Sequence, residues 1–312
     1  MGAGPLRLVV VLTPGADVGA CIAVARRAEA AGFDALLLQD AAGARLTLEP
    51  TALMAALGAL TRRIGLIACM TTAHHQPYTV ARRIVAIDHV AQGRAGWLAL
   101  SAQTAAQARH FPSSVVEGGA RDARMAEFVA VVDGLWDGWE EGGLVRDKAT
   151  GIYMDRDRVH ILDHDGPYFR VRGPLNVTRS VQGKPVLALR GVSEPMRALA
   201  VRRGDLLFAG ALDRAAARSV REDVAARLAG QGRPRSAVAM LPDLPERCDA
   251  ETMLAWQAEG VADGFTVPAE RLDAFCRDVL PALPRPVPEG STLRARLGLP
   301  VPINPYTARR SA

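Results

Sequence analysis

Three of the six histidines in this 312-residue chain, His74, His75 and His89, fall inside one stretch at residues 68–97, ACMTTAHHQPYTVARRIVAIDHVAQGRAGW. Imidazoles can ligate a metal, move a proton near neutral pH or contact a substrate. The spacing argues against a metal. Side chains of adjacent residues diverge, so His74 and His75 do not readily share an ion. His89 comes 14 residues after His75, and no HExxH pattern is present. No metal site is expected, and His89 reads as a structural helix residue. His74 and His75 follow an apolar run, where a substrate-contact role is open to them. Other residues suited to holding a polar ligand recur where apolar runs end: Asp40, Thr71, Thr72 and Ser101. Their alternative reading is ordinary strand termination. In LRGVSEPMRALA at residues 189–200, Gly191 and Ser193 precede a helical stretch. The free N–H groups and positive dipole end of a helix N-terminus suit a phosphate, although Ser193 serves equally as a plain N-cap. Arg190 adds a cation there that could meet a phosphate bidentately, or could equally be a surface arginine. No residue declares itself as a catalytic acid, base or nucleophile.

The elements that must position these residues alternate from the start of the chain. LRLVVVLT (6–13), DALLLQD (34–40), RIGLIACMTT (63–72) and RAGWLALS (94–101) are continuous apolar runs, as expected of strands buried on both faces. Helical patterns separate them at 19–33, 48–61 and 77–93, with Pro50 in a first turn and Gly32 and Gly93 placed to end helices. The rhythm then pauses. A long amphipathic helix is predicted at 120–141, with Met125, Trp136 and Trp139 on its core stripe, followed by an irregular excursion or hairpin at 151–176. It resumes with KPVLALR (184–190), DLLFAG (205–210), SAVAMLPDL (236–244) and ADGFTVP (262–268), each followed by a helical segment. Eight βα units favour an α/β fold of the closed (β/α)8 TIM-barrel type over an open sheet. No GxGxxG follows the first strand, which weighs against a dinucleotide-binding fold. One barrel domain is expected over 1–280, with an excursion at about 103–183, and a Pro-rich tail over 281–312 is expected to wrap the surface. In such a barrel the active site lies at the C-terminal ends of the strands, where Asp40, Thr71, Thr72, Ser101 and the 190–193 turn fall.

Composition narrows the function classes. The net charge is +5, and of 38 basic residues only Lys148 and Lys184 are lysine. The arginines are scattered among acids, which is not a nucleic-acid footprint. No run of about 20 apolar residues offers a membrane span. Cys21, Cys69, Cys248 and Cys276 form no CxxC pair, so disulfide and zinc readings are both weak and a reducing, cytoplasmic location is expected.

The block LEPTALMAALGALTRRIGLIACMTTAHHQPYTVARRIVAIDHVAQGRAGW resembles the bacterial luciferase-like flavin-dependent monooxygenases. The similar branch holds nitrilotriacetate monooxygenase, the pristinamycin synthase large subunit and dibenzothiophene sulfone monooxygenase. RMAEFVAVVDGLWDGWE, DHDGPYFRVRGPLNVTRSVQGKPV and STLRARLGL extend the likeness over most of the chain. The resemblance implies a TIM barrel that uses reduced FMN from a separate flavin reductase, with dioxygen as co-substrate. A flavin C4a-hydroperoxide would oxygenate a small organic substrate of specialised metabolism, in a homodimer or a heterodimer with a homologue. On this reading Asp40, Thr71, Thr72, Ser101, Arg190, Gly191 and Ser193 are the cofactor-binding candidates, and His74 and His75 the substrate contacts. Several positions depart from the family pattern. Leu98, Ser101 and Ala102 replace Asn, Thr and Ser, Cys69 replaces Thr, Thr79 replaces His, and Met125 replaces Tyr. QAG-x-S-x-x-G becomes Leu189-Arg190-Gly191-Val192-Ser193-Glu194-Pro195-Met196, and the excursion after strand seven is shortened. These departures motivate a second reading, a non-catalytic or flavin-poor homologue acting as a partner subunit or small-molecule binder.

Overall fold

The computed structural model describes residues 6–40, 47–101, 109, 111, 118–284 and 290–310. Eight parallel strands form the frame: β1 (Arg7–Leu12), β2 (Ala35–Leu38), β3 (Gly65–Thr71), β4 (Ala95–Leu100), β7 (Val186–Arg190), β8 (Leu206–Gly210), β9 (Ala239–Pro242) and β10 (Gly264–Pro268). Their order is β10-β1-β2-β3-β4-β7-β8-β9. The ring closes between β9 and β10, where Asp243 bridges Thr266 in parallel and the Asp263 N–H donates to the Met240 carbonyl at 3.0 Å. The expected (β/α)8 barrel is therefore the fold, each strand lying within its apolar run and starting one to three residues inside it.

Alternate strand residues divide between two cores, because successive side chains point to opposite faces. Val9, Leu37, Ile67, Leu98, Ala188 and Leu241 belong to a core inside the barrel. Val10, Leu36, Ala68, Trp97 and Leu187 pack outward against the helices. Those helices include α1 (Val18–Ala30), α2 (Pro50–Leu60), α3 (Pro77–Val90) and α4 (Gly118–Asp137). Pro stands in the first turns of α2 and α3, where its missing N–H costs nothing. Helix α4 stops at Asp137. Met125 and Trp136 lie in the outer core as expected, but Trp139 lies beyond the helix end. There it bridges Val159 and its indole N–H donates to the Leu175 carbonyl at 2.8 Å. The predicted hairpin is present as β5 (His164–Asp165) antiparallel to β6 (Arg170–Val171). Glu127 on α4 anchors it by accepting the Phe169 N–H at 2.9 Å.

Four helices follow the remaining strands: α5 (Glu194–Arg203), α6 (Arg214–Gly230), α7 (Ala250–Ala258) and α8 (Leu272–Asp278). The tail departs from expectation. Instead of only wrapping the surface, it passes under the N-terminal end of the barrel through α9 (Leu293–Arg296), before α10 (Pro305–Arg310). Leu293 and Leu297 are fully enclosed in the inner core. Leu293 fits because β3 begins with glycine: a Cβ on Gly65 would collide with its side chain. Beside it, Arg294 grips Asp205 with two bonds of 2.7 Å, and the Arg294 N–H donates to Gln182. Gln182 and Ser180 both donate to Asp88 of the Asp-His pair at 2.7 Å. The tail thus seals the floor, and the C-terminal mouth remains as the place for a site.

Candidate active site

The mouth is lined from three directions. The first is a ledge at the ends of β3 and β4. Thr71 is buried, and its hydroxyl accepts the Ala73 N–H at 3.2 Å. The Thr72 hydroxyl donates to the Leu100 carbonyl at 3.2 Å, as does the Thr72 N–H at 2.7 Å, so this residue stitches β3 to β4. Ser101 sits half-buried just past β4. Arg124 of α4 reinforces the ledge by donating to the Thr72 carbonyl at 2.7 Å while lying over the Phe169 ring at 4.8 Å.

His74 and His75 continue from this ledge, both half-buried. The His75 Nδ1–H donates to the Thr71 carbonyl at 2.9 Å, which turns its other nitrogen away from the strand. His74 stacks on Phe111, with ring centroids 4.2 Å apart and planes 17° from parallel. Burial lowers the His74 pKa, and the neighbouring charges of His75 and Arg124 lower it further. Its imidazole is therefore kept neutral. His89 lies in the last turn of α3, roughly 20 Å along a helix of this pitch, where Nε2 approaches the Thr178 carbonyl at 3.4 Å. The three histidines do not converge. Among the described residues no group of three His, Cys, Asp or Glu side chains is placed to hold a metal ion.

The second direction is the turn from β7 into α5. Gly191 has φ +102°, a conformation that favours glycine, and a Cβ there would meet no atom within 4 Å. Ser193 is the N-cap of α5, yet its side chain makes no capping bond. Among the described residues the corner therefore presents open space, a hydroxyl with no capping bond and a helix N-terminus together. Glu194 in the first turn is drawn off by Arg227 at 3.0 Å.

The third direction is the centre. Asp40 follows β2 and is exposed, and Cys69 below it is 3 % exposed. Burial pushes the Cys69 thiol up to about 11, so it is protonated and inert. Arg190 and Asp243 face each other here at 3.8 Å, and Asp243 accepts the Thr266 hydroxyl at 2.7 Å. The sequence offered no sign of Asp243, Thr266, Arg124 or Phe111. Arg124 stands beside a position singled out for its lost hydroxyl, but the others meet the site only through barrel closure and loop packing. Leu98 and Met125, where the pattern carries Asn and Tyr, are 1 % and 2 % exposed and offer no polar atom to the mouth. Ala102 lies outside the described residues.

Residues 8–257 match the luciferase-like monooxygenase family, and the chain belongs to it. It is 40% identical over 294 residues to one of the subunits of pristinamycin IIA synthase from Streptomyces pristinaespiralis, covering 93% of this chain and 92% of that one. It is also 40% identical over 210 residues to nitrilotriacetate monooxygenase component A of Aminobacter aminovorans, covering 67% of this chain and 46% of the relative. The chain thus spans under half the length of that relative. The fold is shared with the EDTA monooxygenase EmoA of Chelativorans sp. BNC1 at a TM-score of 0.83 and 24% identity, over 95% of this chain and 99% of that one. Among the described residues no helix is long and apolar enough to cross a membrane.

Proposed function

We propose that the chain is an FMN-dependent monooxygenase that places one oxygen atom of dioxygen into a small organic molecule, with reduced FMN supplied by a separate flavin reductase. The observation that carries this reading is the open corner at Gly191 and Ser193, on a family barrel whose mouth is otherwise sealed below. The residues present fit FMN. The helix N-terminus and the Ser193 hydroxyl suit the phosphate. A flat ring can approach the backbone closely at Gly191 and lie against the Thr71 and Ser101 ledge. Asp40 supplies an acceptor for its polar edge, while Arg190 faces the inner mouth beside Asp243 and not this corner.

Reduced FMN, when bound, supplies the two electrons with which dioxygen yields one oxygen atom to the substrate and one to water. The protein's part is positioning and dryness. Cys69, Leu98 and the half-buried Leu100 keep water from the floor, and His74, held neutral, faces substrate beside His75. Thr72 serves the frame, since its hydroxyl is spent on β4. Anaerobic titration with oxidised and reduced FMN, followed by mixing with oxygen and product analysis, tests the proposal. Micromolar binding of reduced FMN is expected. No binding at high micromolar flavin would refute it.

A second reading is favoured by the near-equal length of this chain and the matched subunit of pristinamycin IIA synthase, a relative that is by name one part of a larger enzyme. In that reading the chain assembles with a longer homologue that holds the flavin. Co-purification with such a homologue and no flavin affinity alone would select it. Without one, a homodimer is expected.

A further inference from the structure

Arg190 ends β7, and the strand parity fixes where it points. Val186 and Ala188 lie in the inner core, whereas Leu187 and Leu189 face the helices. Arg190 continues the inward series, so its side chain enters the mouth instead of following the turn toward the helix N-terminus. Among the described residues its guanidinium makes no hydrogen bond, and the nearest acid oxygen, Asp243 Oδ2, is 3.8 Å away. Asp243 is itself fixed, by the Thr266 hydroxyl at 2.7 Å and by its own N–H donating to the Gly210 carbonyl at 2.9 Å. The two side chains are about one third exposed, at 33% and 34%.

This is a planar fork of donors, oriented by a neighbouring charge and left unspent over an apolar floor. Such a fork meets a pair of anionic oxygens bidentately, as in a carboxylate or a phosphate, and the phosphate of FMN has its own place at the α5 N-terminus. Among the described residues Asp40 and Asp243 share the mouth with Arg124 and Arg190, so its cations stand among acids. Selection must come from direct engagement of the guanidinium, which favours a carboxylate over a merely negative ligand. We propose that Arg190, oriented by Asp243, is the anion-binding residue of the substrate pocket, and that the substrate is a small organic carboxylate. The proposal rests on the monooxygenase reading for the word substrate, but not for the site.

The test uses matched probes: benzoate against benzamide, phenylacetate against phenylacetamide and hexanoate against hexanamide. Binding is followed by calorimetry, with and without FMN, on the wild type, R190Q and R190K. FMN affinity is measured separately by fluorescence quenching. The wild type should bind at least one acid roughly 10- to 100-fold more tightly than its amide, the range for a hydrogen-bonded charge. R190Q should abolish that preference, R190K should keep only part of it, and both should bind FMN within about twofold of wild type. Equal binding of acids and amides by the wild type overturns the proposal, as does a preference that survives in R190Q. A tenfold loss of FMN affinity in R190Q without loss of the acid preference also overturns it, returning Arg190 to the cofactor. If the wild type binds no FMN yet shows the Arg190-dependent preference, the monooxygenase reading fails and the anion site stands.

Discussion

Replacing Arg294 with methionine keeps the volume of the side chain under the barrel but removes its charge. In the native chain both Asp205 oxygens accept from Arg294 at 2.7 Å, and Asp205 Oδ2 also accepts the Leu187 N–H at 2.9 Å. The Arg294 and Asp205 side chains are only 7% and 12% exposed. Stranding one partner of a buried pair costs about 3–5 kcal/mol. For 312 residues the unfolding entropy near the midpoint is about 0.65 kcal/mol per degree. R294M should therefore melt about 5–8 °C below wild type by scanning calorimetry. The double variant D205N/R294M removes the stranded charge while the introduced amide oxygen keeps an acceptor for the Leu187 N–H, so it should regain at least half of that loss. A single variant within roughly 2 °C of wild type, or a double variant that melts lower still, would refute the argument that the pair matters through its buried charge.

Two further outcomes follow from the mouth. Gly191→Val places a β-branched residue at φ +102° and fills the open corner. It should cost about 1–3 kcal/mol of stability and at least about tenfold in FMN affinity, and unchanged affinity would move the phosphate elsewhere. His74 has its pKa lowered by burial. Between that value and the ordinary one of about 6.5, the unfolded chain binds more protons than the folded one. Its contribution is thus fully present above about pH 6.5 and is lost as pH falls through that window. H74Q should lose less stability than wild type between pH 7 and 5 in denaturant titrations, and equal losses would count against a buried neutral imidazole.

The barrel was legible because eight apolar runs alternate with helical periodicity, and each run became a strand. The same property hid the site's interior. A strand apolar on both faces shows no alternation, so nothing in VLALR says that Arg190 faces inward. Asp243 and Thr266 are separated by a helix in sequence and meet only when β9 closes on β10. The tail misled for a related reason. A four-residue helix such as Leu293–Arg296 is too short to display a period, and its flanking prolines read as surface chain. The 190–193 turn was easier, because glycine and serine before a helix carry a local signal that survives without tertiary context.

The tail that seals the barrel also sets a schedule for making it. Arg7 on β1 donates to the Leu297 carbonyl at 2.7 Å, a contact spanning 290 residues, and β1 completes its pairing only with β10. On the ribosome the first strand must wait, one edge unpaired, until β10 has been synthesised. Contacts this remote are slow to form and leave the nascent chain open to association with its neighbours. A chain stalled before Leu293 would therefore lack Leu293, Leu297 and Leu299 from its inner core, with the floor of the barrel left open.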